Sequence, residues 1–181
     1  MAGRTAASPL AVEPRLAEAE RVALARLVLT LTQKGIHDRR ILAVIEQIPR
    51  SLFVSAEWHG KALEDRPVPI ECGQTVDAPS ALAFMYQAAD IAADHRVLEI
   101  GTGSGYGTTI LAGLAAKVYT VERFRTLGEL AADRFASLHL ANVVASIHDG
   151  FEGFPRNAPF HRIVLAGAVE VPPRALLAQL A

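Results

Sequence analysis

Cysteine is nearly missing from this chain of 181 residues: Cys72 stands alone. That excludes an internal disulfide and any zinc or iron–sulfur centre built from several cysteines, so no metal site is expected, and it suits a reducing compartment. Net charge is missing as well. Eighteen Lys+Arg stand against nineteen Asp+Glu, a formal charge of -1 with no basic tract, so no field would gather nucleic acid. No apolar run approaches the ~20 residues of a membrane helix, and residues 1–14, MAGRTAASPLAVEP, lack the unbroken apolar core of a secretory signal. P-loop, Gly-x-Ser-x-Gly and His-Glu-x-x-His motifs are absent too. These absences predict a soluble, cytoplasmic protein with no membrane or nucleic-acid partner.

What is present is apolar: 51% hydrophobic against 20% charged residues suffices for one compact unit with a sizeable core. Residues 1–14, rich in Ala, Ser and Pro without a period, read as a loose arm. Residues 15–79 read as N-terminal helices followed by a long loop. Leu16, Val22, Leu24, Leu27 and Leu31 recur at helical spacing from Arg15 to Lys34, Gly35 stops that helix, and Asp38 caps a second over 39–47 that Pro49 ends. From Ser51 to Pro79 the periodicity fades, and Pro67, Pro69, Gly73 and Pro79 punctuate an extended connection whose length implies a task.

Residues 80–181 read as an α/β unit. After a helix over 80–89, strands at Val97–Ile100, Val118–Glu122, Val143–His148 and Ile163–Ala166 alternate with helices at 108–115 and 125–138, and a last helix spans 174–180. Such alternation predicts a doubly wound, mostly parallel sheet with helices on both faces. A sheet ending at its fourth strand leaves Ile163–Ala166 open. Further strands or a partner over that edge are therefore expected, as a monomer or a homodimer.

The sharpest local signal is Val97-Leu98-Glu99-Ile100-Gly101-Thr102-Gly103-Ser104-Gly105-Tyr106-Gly107. It sets a Gly-x-Gly-x-Gly turn between a buried strand and a helix, where backbone can approach a nucleotide-like ligand. Glu122 ends the next strand, where a carboxylate can accept both hydroxyls of a ribose, and Asp149-Gly150 ends the third, near an adenine position. Glu99, just before the loop, is an awkward neighbour for a pyrophosphate and a good one for an amino group or a sulfonium. S-adenosylmethionine is thereby favoured over a nicotinamide dinucleotide.

With these residues in view, the chain resembles the protein-L-isoaspartate O-methyltransferases. Gly35-Ile36-x-Asp38-x-Arg40 and Ile48-Pro49-Arg50-x-x-Phe53-Val54 resemble the family's N-terminal helices, and Glu64-Asp65-x-Pro67-x-Pro69-Ile70-x-x-Gly73-Gln74-Thr75 its substrate-side segment. Val97 to Tyr106, Tyr119-Thr120-Val121-Glu122-Arg123, Asp149-Gly150-x-x-Gly153 and Ala158-Pro159-Phe160 follow in the family's order. The resemblance implies a Rossmann-like class I methyltransferase fold and transfer of a methyl group from S-adenosylmethionine to the α-carboxyl of L-isoaspartyl residues in damaged proteins. It implies cofactor contacts from Glu99, Gly101, Thr102, Gly103, Ser104, Gly105, Tyr106, Glu122, Arg123, Asp149 and Gly150, with Tyr106 the one aromatic residue expected near the ligand. Gln74, Thr75 and Asp77 are expected beside the acceptor.

Departures from the family pattern stand out. Asp77 occupies the place of an active-site Ser; it reads either as a helix N-cap, since Ser and Asp both cap, or as a general base for a neutral nucleophile. His148 and His161 replace a common Gly and Asp, and Gly107 replaces a frequent Gln. Family members continue past Gln179-Leu180. Alternatives are therefore a methyltransferase of altered acceptor, a non-catalytic adenosyl-binding or interaction protein, and, least favoured, a nicotinamide-dependent oxidoreductase.

Overall fold

The computed structural model describes residues 18–181, so the arm expected over 1–14 and the start expected for the first helix lie outside the described residues. Helix α1 (Glu18–Gln33) buries Leu24, Leu27 and Leu31, the stripe its spacing predicts. Gly35, at φ 89°, ends it: its amide donates to the Thr32 carbonyl and that of Ile36 to the Leu31 carbonyl, which satisfies the last-turn acceptors. Helix α2 (Arg39–Gln47) opens on Asp38, whose side chain accepts from the Arg40 amide at 2.8 Å.

Between Ser51 and Pro79 the chain is more ordered than the extended connection its composition predicts. Single 3-10 turns cover Arg50–Phe53, Ala56–Lys61 and Glu71–Gly73, and β1 (Val68–Pro69) pairs antiparallel with β2 (Thr75–Val76). Arg50 supplies the reason. Its guanidinium is fully buried and donates to the carbonyls of Ala62, Glu64, Arg66, Val76 and Asp77 over 2.8–3.3 Å. Carbonyls that a proline-punctuated segment cannot pair in a ladder are gathered around one cation instead.

Helix α3 (Pro79–Ala88) leads into the main sheet: β3 (Arg96–Ile100), β4 (Lys117–Glu122), β5 (Val143–Ile147) and β6 (Arg162–Leu165), with α4 (Tyr106–Leu114) and α5 (Arg125–Ser137) between the first three. The order is β5-β4-β3-β6, all parallel. Valines 97, 118 and 164 join the apolar residues of α1 to α5 in the larger core. Leu98, Tyr119 and Val121 point the other way, toward Phe160 and Leu176, which is the alternation strands impose. On that second face the cover is thin: α6 (Arg174–Leu177) is a single turn. It ends before the predicted Leu180 because Phe160 draws the tail into extended pairing, accepting from the Ala181 amide and donating to the Gln179 carbonyl. No helix among the described residues is long and apolar enough to cross a membrane.

Replacing Arg50 by Met, which keeps the length of the stem, strands these buried carbonyls. Urea unfolding of Arg50→Met is expected to show a loss of at least about 3 kcal/mol.

Candidate active site

The chain runs β3, β4, β5 outward and then returns to place β6 on the far side of β3, so a switch point lies at the carboxyl ends of β3 and β6, where open α/β sheets bind ligands. A cavity of about 730 Å³ opens there, within the ~300–1,000 Å³ common for small-molecule sites. Its wall includes the glycine turn, the ends of β4 and β5, Gln74 to Asp77, and Leu165 at the end of β6 with residues 166–169 after it.

The turn is shaped by crowding. A Cβ on Gly101 would stand 2.9 Å from the Ala166 carbonyl oxygen, and its φ is 93°. Only glycine lets β3 leave the sheet so close to β6. Glu122 then ties the turn to β4: one carboxylate oxygen accepts the Gly103 amide at 2.8 Å and the other the Phe124 amide at 2.9 Å. A carboxylate has about four acceptor positions, so capacity for ribose hydroxyls remains. Asp149 accepts the Phe151 amide at 3.0 Å, and Gly150 beside it packs on Ile100. Arg123 is exposed, with its guanidinium 4.7 Å from the Phe124 ring centroid.

Glu99 is buried beneath the turn. Thr108 and Thr120 donate to the same carboxylate oxygen, and Thr102 reaches the Thr120 hydroxyl at 2.6 Å. Burial outweighs these donors and, with the Glu122 charge adding in the same direction, pushes the Glu99 carboxyl up to about 7. Its other oxygen lies beside Gly107, as does the buried Tyr86 hydroxyl, which fills the space a side chain at 107 would need.

Two expected ligand contacts are corrected. Gly105 faces Phe135 of α5, and Tyr106 is turned into the core; neither lines the cavity. The Tyr106 ring packs edge-on to Phe53 at 5.4 Å and under the Arg50 guanidinium at 5.6 Å, because the first turn of α4 presents that side chain to the larger core. The capping role read for Asp77 is corrected as well. Ala78 is the N-cap of α3 and makes no side-chain bond; the Ser80 amide is taken at 2.8 Å by Asp65, which also holds Lys34 at 2.6 Å.

The profile of the family described as Protein-L-isoaspartate(D-aspartate) O-methyltransferase matches residues 23–181. The chain belongs to the protein-L-isoaspartate O-methyltransferase family. A relative of that name from Dinoroseobacter shibae is 47% identical over 155 residues, 86% of this chain and 72% of the relative. One from Azorhizobium caulinodans is 46% identical over 163 residues, 90% of this chain and 75% of that one. A solved protein-L-isoaspartate O-methyltransferase superposes with a TM-score of 0.80 at 26% identity, over 87% of this chain; the chain spans about half, 52%, of that one. A Plasmodium falciparum member crystallised with S-adenosyl-L-homocysteine shares the fold, with a TM-score of 0.74 at 20% identity, over 86% of this chain and 78% of that one.

In a protein-L-isoaspartate O-methyltransferase the site must take S-adenosylmethionine, and the residues present fit it. The glycine turn leaves a cradle that side chains would fill, Ser104 offers a buried hydroxyl with no partner among the described residues, and Glu99, Glu122 and Asp149 supply acceptors. Arg50, Asp65 and Tyr86 escape a reading of local sequence, because each acts on partners at least twelve residues away or through space alone. The wall at 165–169 was legible only as the end of a strand.

Glu99 yields a test. Its folded-state pKa lies above the ordinary 4.5, so its contribution to stability is whole below pH 4.5 and is lost as pH rises through about 7. Glu99→Gln keeps an acceptor for the threonines and removes the charge. Denaturant titrations are expected to find the variant more stable than the parent above pH 7, by up to about 3 kcal/mol, and the two converging below pH 4.5.

Proposed function

We propose that this chain methylates the α-carboxyl of L-isoaspartyl residues in proteins, using S-adenosylmethionine. The observation that carries the reading is one cavity walled on one side by the glycine turn with its acidic strand ends and on the other by Gln74, Thr75 and Asp77. Glu99, Gly101, Thr102, Gly103, Ser104, Glu122, Asp149 and Gly150 are assigned to the cofactor, with exposed Arg123 at the rim. Gln74, Thr75 and Asp77 are assigned to the acceptor side. One chain carries the whole wall, so the reading needs no second subunit.

S-adenosylmethionine, when bound, supplies a methyl group on a sulfonium sulfur. The acceptor needs little acid–base help, since an α-carboxyl with a reference pKa of about 3.5 is already ionised at neutral pH. What the protein contributes is placement. Glu122 fixes the turn, Arg50 fixes the carbonyls of Val76 and Asp77, and the two walls hold donor and acceptor in line while water is displaced. The reaction joins an anion to a cation and consumes both charges, so a poorly solvated cavity speeds it. Glu99, able to ionise near pH 7, is the group that answers a cationic ligand from beneath the turn.

The test is label transfer from methyl-labelled cofactor to two peptides that differ only in carrying isoaspartate or aspartate. Label is expected in the isoaspartyl peptide alone, as a base-labile ester; equal label in both, or in neither, contradicts the reading.

A further inference from the structure

The cavity is acidic. Asp77, Glu99, Glu122 and Asp149 contribute to its wall, against Arg123 as its single basic residue. Glu99, Glu122 and Asp149 have tasks on the cofactor side and spend hydrogen-bonding capacity on Thr108, Thr120 and the amides of Gly103, Phe124 and Phe151. Asp77 differs. It is exposed on the acceptor side, its carboxylate makes no hydrogen bond or salt bridge among the described residues, and it does not cap α3. Its backbone is nonetheless pinned, because the Asp77 carbonyl accepts from Arg50 at 2.8 Å. The Asp77 charge is felt by the Arg50 guanidinium, but that guanidinium is buried and committed to five carbonyls. A fixed anion thus stands where an anionic acceptor must enter.

We propose that Asp77 is a specificity-determining residue that selects isoaspartyl sites flanked by a cationic side chain and disfavours those flanked by an acidic one. The inference rests on the isoaspartyl reading above. A lysine or arginine beside the isoaspartate places its charge next to Asp77 and offsets the repulsion between the two carboxylates. An acidic neighbour adds a third negative charge. At the separations and solvent exposure of a cavity mouth such a charge is felt as roughly a three- to tenfold effect, and added salt weakens it.

The experiment measures kcat and KM for three isoaspartyl peptides that differ only in the following residue, Lys, Ala or Glu, using the parent chain, Asp77→Asn and Asp77→Glu. Binding of S-adenosylhomocysteine is measured alongside by calorimetry. The parent is expected to rank them Lys, Ala, Glu, with the spread in KM. Asp77→Asn should compress the ranking to within about twofold and Asp77→Glu preserve it, with product binding unchanged in both. Equal use of the three peptides by the parent, or a spread that survives Asp77→Asn, overturns the role of Asp77 and leaves the methyltransferase reading intact. Binding of S-adenosylhomocysteine with no methylation of any isoaspartyl peptide overturns the acceptor class itself, and this inference with it.

Discussion

Parallel pairing of β3 with β4 on one side and β6 on the other brings Ile100 level with Val121 and Leu165. Because the strands share a direction, whatever follows each of them emerges at the same end of the sheet. A glycine turn, a carboxylate and the wall after β6 therefore meet without any long-range instruction in the sequence. The Glu122–Gly103 bond converts this proximity into a shape, since it ties the outgoing turn of one strand to the tip of the next. The return of the chain past β3 opens the gap in which the cavity forms.

The wall assigned to the acceptor in the proposed reading is held by different physics. Gln74 to Asp77 belongs to a short, proline-punctuated segment with one two-residue ladder of its own, too little to define a wall. Burying the Arg50 cation among carbonyls rather than opposite a carboxylate supplies the missing order. It is costly, because desolvation lowers the basicity of that guanidinium, and the cost is offset only while all its acceptors stay in place. Order in this wall is therefore cooperative, which is what an in-line transfer between two separately held groups requires. Asp65 closes the same region from the other end by capping α3 and meeting Lys34.

How much of this could be read in advance follows from the range of each interaction. The helical stripe of Leu24, Leu27 and Leu31, the Gly35 stop, the four apolar strands and the glycine turn are local patterns, and the structure places them within a residue or two of their expected bounds. The order over 50–77 was missed because the side chain that gathers the carbonyls of residues 62 to 77 stands twelve to twenty-seven residues before them. Tyr106 misled for the opposite reason. Its position beside the glycines suggests ligand contact, but a side chain on the first turn of a helix is aimed by the helix, and here that direction is inward to Phe53. Asp77 looked like a cap because it precedes Pro79, yet Asp65, twelve residues earlier, reaches the amide first.

In the proposed reading, level strand ends carrying Glu99, Glu122 and Asp149 around a glycine turn make a site for an adenosyl sulfur compound. Calorimetric titration of the folded chain with S-adenosylhomocysteine tests it most directly, repeated on Glu122→Gln. The account predicts one saturable site per chain in the parent and a clear loss of affinity in the variant at unchanged fold. Absence of any binding heat, in material whose circular dichroism shows a folded α/β protein, would contradict it.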